Sequence, residues 1–287
     1  MAAQRTPAGP ELVTLKTSDG IPLDAALSEP DDALAAVVHI HGKGGNFYTG
    51  PGRFVPELTP DEPLAHLSIN MRCHDLAYSR YDGVWDDVDS EAVVAGGMWE
   101  DLSVGHLDLE AAVDFLRARG HRIVVMAGHS SGGFYTADYG ARHPEIEGRI
   151  FLSPLTGNGT ALPRWFPAPG DLDAALAKAS SLVADGKGHW LIPLPTWYFA
   201  VSAQSLLERA AEPAGIWLRD VKACPSPLLM LWGDTEDRDQ LWRNLCDQMD
   251  LPGLQTQVVA GADHQYTGYE AQVAVAVSRF ALEVAGR

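Results

Sequence analysis

The sequence Gly128-His129-Ser130-Ser131-Gly132 follows directly on the apolar run Ile123-Val124-Val125-Met126-Ala127 and precedes the helix-prone stretch 134–139. A serine at the tip of such a strand–turn–helix junction is held in a strained backbone conformation with its hydroxyl presented outward, the arrangement of a nucleophile. The turn is tight enough that the residues two positions away on either side can carry almost no side chain, and Gly128 and Gly132 meet that demand. The helix behind the turn would aim its N-terminal amides at negative charge developing beside Ser130. The competing reading of the same five residues is a plain glycine-rich turn between a strand and a helix.

A serine hydroxyl is a weak nucleophile at neutral pH unless a base accepts its proton, so Ser130 calls for a histidine from elsewhere in the chain. Of the ten histidines, His264 follows the last apolar strand run in Val259-Ala260-Gly261-Ala262-Asp263-His264 and precedes the final helix. That is the chain position of the base in the order serine, acid, histidine. His39 belongs to a strand, His121 and His143 flank helices, His189 lies in a separate segment, and His129 reads as a locally packed or hydrogen-bonded residue. The carboxylate that orients the imidazole is expected after the penultimate strand, in Trp232-Gly233-Asp234-Thr235-Glu236-Asp237. Counting from the glycine leaves Glu236 and Asp237 equally placed, with Asp234 an outsider and Asp263 a turn residue.

Acyl transfer also requires donors where the carbonyl oxygen becomes an oxyanion. The backbone N–H of Ser131 is one expected donor, and that of Lys43, in the loop His41-Gly42-Lys43-Gly44-Gly45, is the other. That loop has neither of the glycine spacings of nucleotide-binding turns. His39 and His41 lack a third partner in register for a metal. No cofactor and no metal are therefore expected. Cys73, Cys224 and Cys246 are scattered, which gives neither a zinc spacing nor a disulfide framework and suits a reducing cytoplasm. Cys73 follows Arg72 near the site and is not expected to be a reactive thiol.

The elements that must position these groups read as a doubly wound, mostly parallel sheet. Two alternating runs, 11–17 and 21–28, meet at Ser18-Asp19-Gly20 as a hairpin. Buried-type strands are expected at 35–40, 64–71, 123–127, 150–154, 227–232 and 254–259, with a long helix over 98–119 and an amphipathic closing helix over 269–284. Between 155 and 222 the pattern changes to prolines and aromatics, among them Trp165, Phe166, Trp190, Trp197, Tyr198 and Phe199. This segment is expected to be a cap inserted into a core of residues 1–154 and 223–287, with some of its aromatics lining a pocket for an apolar acyl or alcohol part of a small-molecule substrate. With 21 Lys plus Arg against 38 Asp plus Glu, the formal charge is −17, which repels nucleic acid and anionic membranes. The first residues lack the apolar core of a signal peptide and no apolar run is long enough for a membrane span, so a soluble cytoplasmic protein is expected.

Taken together, His41-Gly42, Arg72-Cys73-His74-Asp75, Gly128-His129-Ser130-Ser131-Gly132, the acidic loop and His264 resemble the α/β-hydrolase superfamily over nearly the whole chain. The resemblance implies an α/β-hydrolase fold and a serine hydrolase. Cys73 departs from the glycine usual at its position. The stretches 41–48 and 182–188 are similar to a bacterial branch that distantly resembles the fungal siderophore (fusarinine C) esterases, which implies ester or lactone substrates of natural-product type. The same superfamily site is also implied to support lyase, eliminase, cyclase or acyltransferase chemistry, so both readings stand at this point.

Overall fold

The run Ala35-Ala36-Val37-Val38-His39-Ile40 has no polar face to turn toward water, and such a strand belongs in a sheet covered on both sides. The computed structural model, which describes residues 9–81, 92–196 and 199–286, places it there. In chain order, β1 (Glu11–Lys16) and β2 (Pro22–Ser28) form the expected hairpin, and β3 (Ala35–Ile40), α1 (Pro51–Leu58) and β4 (Leu64–Ile69) follow. A small hairpin of β5 (Tyr78–Tyr81) and β6 (Ala92–Ala95) leads to α2 (Gly105–Ala118), β7 (Val124–His129), α3 (Ser131–Arg142) and β8 (Gly148–Leu152). Next come α4 (Asn158–Trp165), α5 (Asp171–Ala184), a hairpin of β9 (Leu191–Pro193) and β10 (Ala200–Ser202), α6 (Ala203–Ala211) and α7 (Ile216–Ala223). The chain closes with β11 (Leu228–Gly233), α8 (Asp239–Met249), β12 (Leu254–Val259) and α9 (Glu270–Ala285).

Eight strands make one sheet in the order β1-β2-β4-β3-β7-β8-β11-β12. The pairs β1/β2 and β2/β4 are antiparallel, and every pair from β4 to β12 is parallel. After β3 the chain steps to β4 on one side and then crosses back to β7 on the other, so a crevice opens beyond the carboxyl ends of β3 and β7. The loop His41–Gly45 and the turn at Ser130 both leave the sheet at that crevice.

The period-two geometry of β3 divides its side chains between two cores. Ala36, Val38 and Ile40 join Met126, Phe151 and Trp217 on one face, while Ala35 and Val37 join Val125, Ile150 and Phe280 on the other. A third cluster, including Leu162, Trp165, Phe166, Ile192, Phe199 and Leu206, is built from the elements between β8 and α7. Helix α7 itself sends Trp217 and Val221 into the first core, so it belongs to the helical layer of the sheet.

One expected helix is shorter than its apolar pattern suggests. Residues 98–119 do not form a continuous helix: Gly97–Trp99 makes a single 3-10 turn and α2 begins at Gly105. In the gap, the Asp101 carboxylate accepts the Ser103 backbone N–H at 2.8 Å and the Ser103 hydroxyl at 2.6 Å, a local alternative to helical bonding. This break places Glu100 against the site. No described helix is long and apolar enough to cross a membrane.

Candidate active site

Ser130 occupies the turn between β7 and α3 with φ 55° and ψ −119°, a left-handed backbone that a residue with a side chain adopts only under constraint. The constraint comes from the backbone on both sides. Ser130 N–H donates to Leu152 C=O at 3.0 Å, and its own C=O accepts the N–H groups of Gly133 at 3.0 Å and Leu155 at 2.7 Å. A Cβ on Gly128 would lie 2.3 Å from Gly132 O, and one on Gly132 would lie 2.4 Å from Ile40 O. Both elbow glycines are therefore required by main-chain contact, which no rearrangement of side chains could relieve.

The structure brings His264 and Glu236 to this serine. His264 Nε2 lies 3.0 Å from Ser130 Oγ, and His264 Nδ1 lies 2.6 Å from Glu236 Oε2. Since a carboxylate only accepts, Nδ1 carries the proton and Nε2 is free to accept from the serine hydroxyl. Glu236 is nearly buried, with 7% of its side chain exposed, and its second oxygen accepts from Ser153 Oγ at 2.5 Å and from Gly233 N–H at 3.3 Å. Ser153, at φ 45° just past β8, is in turn 2.8 Å from Tyr266 OH. Neither Ser153 nor Tyr266 stands out in the sequence; only the position of Ser153 at a strand's carboxyl end points to it.

Asp237, equally placed in the sequence, turns the other way. Its exposed carboxylate pairs with Arg164 at 2.5 Å and does not reach His264. Asp234 accepts the Gly261 N–H at 2.7 Å, and Asp263 accepts the N–H groups of Gln265 and Thr267 at 3.0 and 2.9 Å, so both serve loop structure. His129 is buried and donates from Nε2 to the backbone C=O of His264 at 2.9 Å, steadying the loop that carries His264. Burial, reinforced by the neighbouring His264, pushes its pKa down to about 3, so it stays neutral. Cys73 is buried and its thiol is pushed well above the usual range by that burial, with Glu100 and Asp108 adding to the effect. A group in that state is no nucleophile.

The loop after β3 passes directly over the serine: a Cβ on Gly42 would sit 2.9 Å from Ser130 Cβ. His41 fixes the loop's departure, donating from Nδ1 to Gly42 C=O at 2.8 Å and accepting Met71 N–H at Nε2 at 3.1 Å. Among the described residues, no backbone or side-chain acceptor is bonded to the N–H of Lys43 or of Ser131. The Lys43 side chain points away from the serine, donating from Nζ to Gly97 C=O at 2.6 Å and to Glu100 Oε2 at 2.7 Å, with its charge 5.1 Å from the centre of the Phe199 ring. Glu100 also accepts from Tyr135 OH at 2.5 Å and from Arg209, and its backbone C=O accepts from Ser205 Oγ at 2.5 Å. Burial alone would raise the Glu100 pKa, but the Arg209 and Lys43 charges win and hold it down to about 2.

A cavity of about 580 Å³ opens beside Ser130 and His264, walled by Ala161, Arg164 and Trp165 of α4, by Thr196, and by Glu236, Asp237 and Arg238 of the acidic loop. Of the aromatics expected near it, Trp165 is on the wall, Phe166 and Phe199 are packed in the third cluster, and Trp190 is exposed. Trp197 and Tyr198 lie outside the described residues.

Comparison with known proteins fits this fold. No curated protein sequence matches the chain. Among solved structures, Est1E from Butyrivibrio proteoclasticus with bound ferulic acid superposes with a TM-score of 0.67 at 19% identity, covering 96% of this chain and 100% of that one. The alpha/beta hydrolase GrgF from Penicillium sp. sh18 gives a TM-score of 0.71 at 15% identity over 98% and 100% of the two chains. A dienelactone hydrolase from Anabaena variabilis gives 0.59 at 16% identity over 96% and 99%. At these identities the likeness is one of fold. The sequence profile of the alpha/beta hydrolase family matches residues 37–277, a span that includes the elbow, the acidic loop and His264, and the chain belongs to that family.

Proposed function

We propose that the chain is a serine hydrolase that cleaves an ester, thioester or lactone, of natural-product type, through an acyl-enzyme. The observation that carries this reading is the continuous hydrogen-bonded path from Ser130 Oγ through the His264 imidazole to Glu236, at 3.0 and 2.6 Å. In the first step Ser130 Oγ bonds to the substrate carbonyl carbon while its proton passes to His264 Nε2. The carbonyl π electrons move to oxygen, and that oxyanion is received by the N–H groups of Lys43 and Ser131. The imidazolium is balanced by Glu236. Collapse of the intermediate breaks the bond to the leaving oxygen or sulfur, which takes the proton from His264. Water then attacks the acyl-serine by the same route, giving the carboxylic acid and restoring Ser130. The elements α4 to α6 act in this proposal as a cap, with Ala161 and Trp165 supplying an apolar wall for the acyl or alcohol part.

Turnover of p-nitrophenyl acetate and butyrate tests the reading. The expected result is hydrolysis with an initial burst of nitrophenol, lost in Ser130→Ala and in His264→Ala. If Ser130→Ala keeps activity that His264→Ala loses, His264 transfers the proton of an attacking water directly and the acyl-enzyme proposal is overturned.

A further inference from the structure

Charged groups taken out of water are normally paired, because an unpaired buried charge is costly. One wall of the cavity beside Ser130 departs from this. Arg238, at the start of α8 and two residues past Glu236, lines the cavity, and its Nε is buried with no acceptor among the described residues. No carboxylate among the described residues forms an ion pair with it. The carboxylates around it are committed elsewhere: Glu236 to His264 and Ser153, Asp263 to the N–H groups of Gln265 and Thr267, and Asp237 to Arg164. Burial, joined by the charge of Arg164 on α4 across the same cavity, pushes the Arg238 pKa down, and the nearby Asp237 and Glu236 charges offset this only in part. Two guanidiniums thus converge on one space next to the serine, in a chain whose formal charge is −17.

We infer that Arg238, assisted by Arg164, is an anion-binding subsite that selects esters carrying a carboxylate on the part of the molecule remote from the reacting carbonyl. The inference rests on the serine-hydrolase reading of Ser130. A guanidinium with no direct ion pair among the described residues and no acceptor for its Nε matches one carboxylate, and the planar fork of arginine binds a carboxylate through two parallel hydrogen bonds. Asp237 is a competitor at this subsite, since it already occupies Arg164. The bound carboxylate displaces it or shares the pair.

The test compares pairs of esters that differ in one carboxylate, the first pair sharing its leaving group and the second its acyl group. p-Nitrophenyl hydrogen adipate is set against p-nitrophenyl hexanoate for an acid on the acyl part, and 4-acetoxybenzoate against phenyl acetate for an acid on the alcohol part. Within each protein the ratio of kcat/KM for the acidic to the neutral ester is read, so a general change in activity cancels. The expected wild-type ratio is at least about tenfold in one pair, shrinking at high salt. It falls at least about tenfold in Arg238→Gln, partly recovers in Arg238→Lys, and rises in Asp237→Asn. A wild-type ratio at or below one in both pairs, or a ratio unchanged in Arg238→Gln, overturns the subsite. If neutral esters are still turned over in a Ser130-dependent way, the hydrolase reading survives that failure. Should no ester be turned over, calorimetric titration of monomethyl adipate into Ser130→Ala separates the two claims. Binding lost on adding Arg238→Gln upholds the subsite and sinks the hydrolase reading, and no binding overturns both.

Discussion

Lys43 donates from Nζ to Glu100 Oε2 at 2.7 Å, which places the loop beside Ser130 under the control of a carboxylate buried in the break before α2. The same carboxylate holds Tyr135 of α3 and Arg209 of α6, so one buried anion joins the loop after β3, the helix that follows Ser130 and helix α6. In the proposed mechanism Glu100 is a positioning residue, acting on the reacting atoms only through Lys43 and α3.

Removing one member of a buried charge cluster leaves the others uncompensated, at a cost of about 3–5 kcal/mol. Glu100→Gln should therefore lower the free energy of urea unfolding by that order. It should also lower kcat more than it raises KM, because in the proposed mechanism the Lys43 amide serves the transition state. A variant with wild-type kcat and reduced stability would limit Glu100 to a role in the fold.

Gly42→Ala should separate the oxyanion loop from stability. Its new methyl would meet Ser130 Cβ at 2.9 Å, so the loop must retreat by a few tenths of an ångström and carry the Lys43 N–H with it. Loss of one oxyanion donor costs about 10²–10³ in kcat. Steady-state kinetics beside a thermal melt checks this, and unchanged kcat would show that the loop supplies no donor.

The choice between the two acidic residues is open to direct measurement. Glu236→Gln keeps the shape but disturbs the tautomer and charge balance of His264, and a change of that kind at the acid position costs about 10⁴ in kcat. Asp237→Asn leaves the Glu236–His264 contact in place. The two variants should differ by at least about 10² in kcat on a neutral ester, with Glu236→Gln the slower. Equal losses would return Asp237 to the triad.

Stability should fall as pH drops below 6.5. Burial pushes His39 well below its ordinary value, His41 and His66 to about 4 and His129 to about 3, with neighbouring histidines adding to the effect at His39, His41 and His129. The unfolded chain therefore binds protons first, between 6.5 and about 4. Stability that is fully present above 6.5 is lost through that window. Glu100 extends the loss at lower pH, from its ordinary 4.5 down to about 2. Thermal melts at pH 7.5 and pH 5 check the sign: the Tm should be lower at pH 5, and an equal or higher Tm would mean these histidines are protonated in the fold.

Much of the site could be read from residue order because its parts are tied to strand ends. The apolar runs of β3 and β7 mark where the oxyanion loop and Ser130 must emerge, and the last strand marks His264. What residue order could not settle was direction within a turn. Glu236 and Asp237 are neighbours, and only the geometry past Gly233 sends one toward His264 and the other toward Arg164. Glu100 was hidden for another reason. Its partners Lys43, Tyr135 and Arg209 are 57, 35 and 109 residues away, and the apolar pattern of 98–119 concealed the break that delivers it.

In the proposed mechanism His264 primes the hydroxyl of Ser130 for attack on a carbonyl. Reaction with a fluorophosphonate, followed by peptide mass spectrometry, tests it most directly, since the reagent phosphonylates only an activated serine. One stoichiometric adduct is expected on the peptide containing Ser130, formed at least about 10²-fold more slowly in His264→Ala. Folded protein that remains unlabelled at Ser130, or is labelled equally fast without His264, would contradict it.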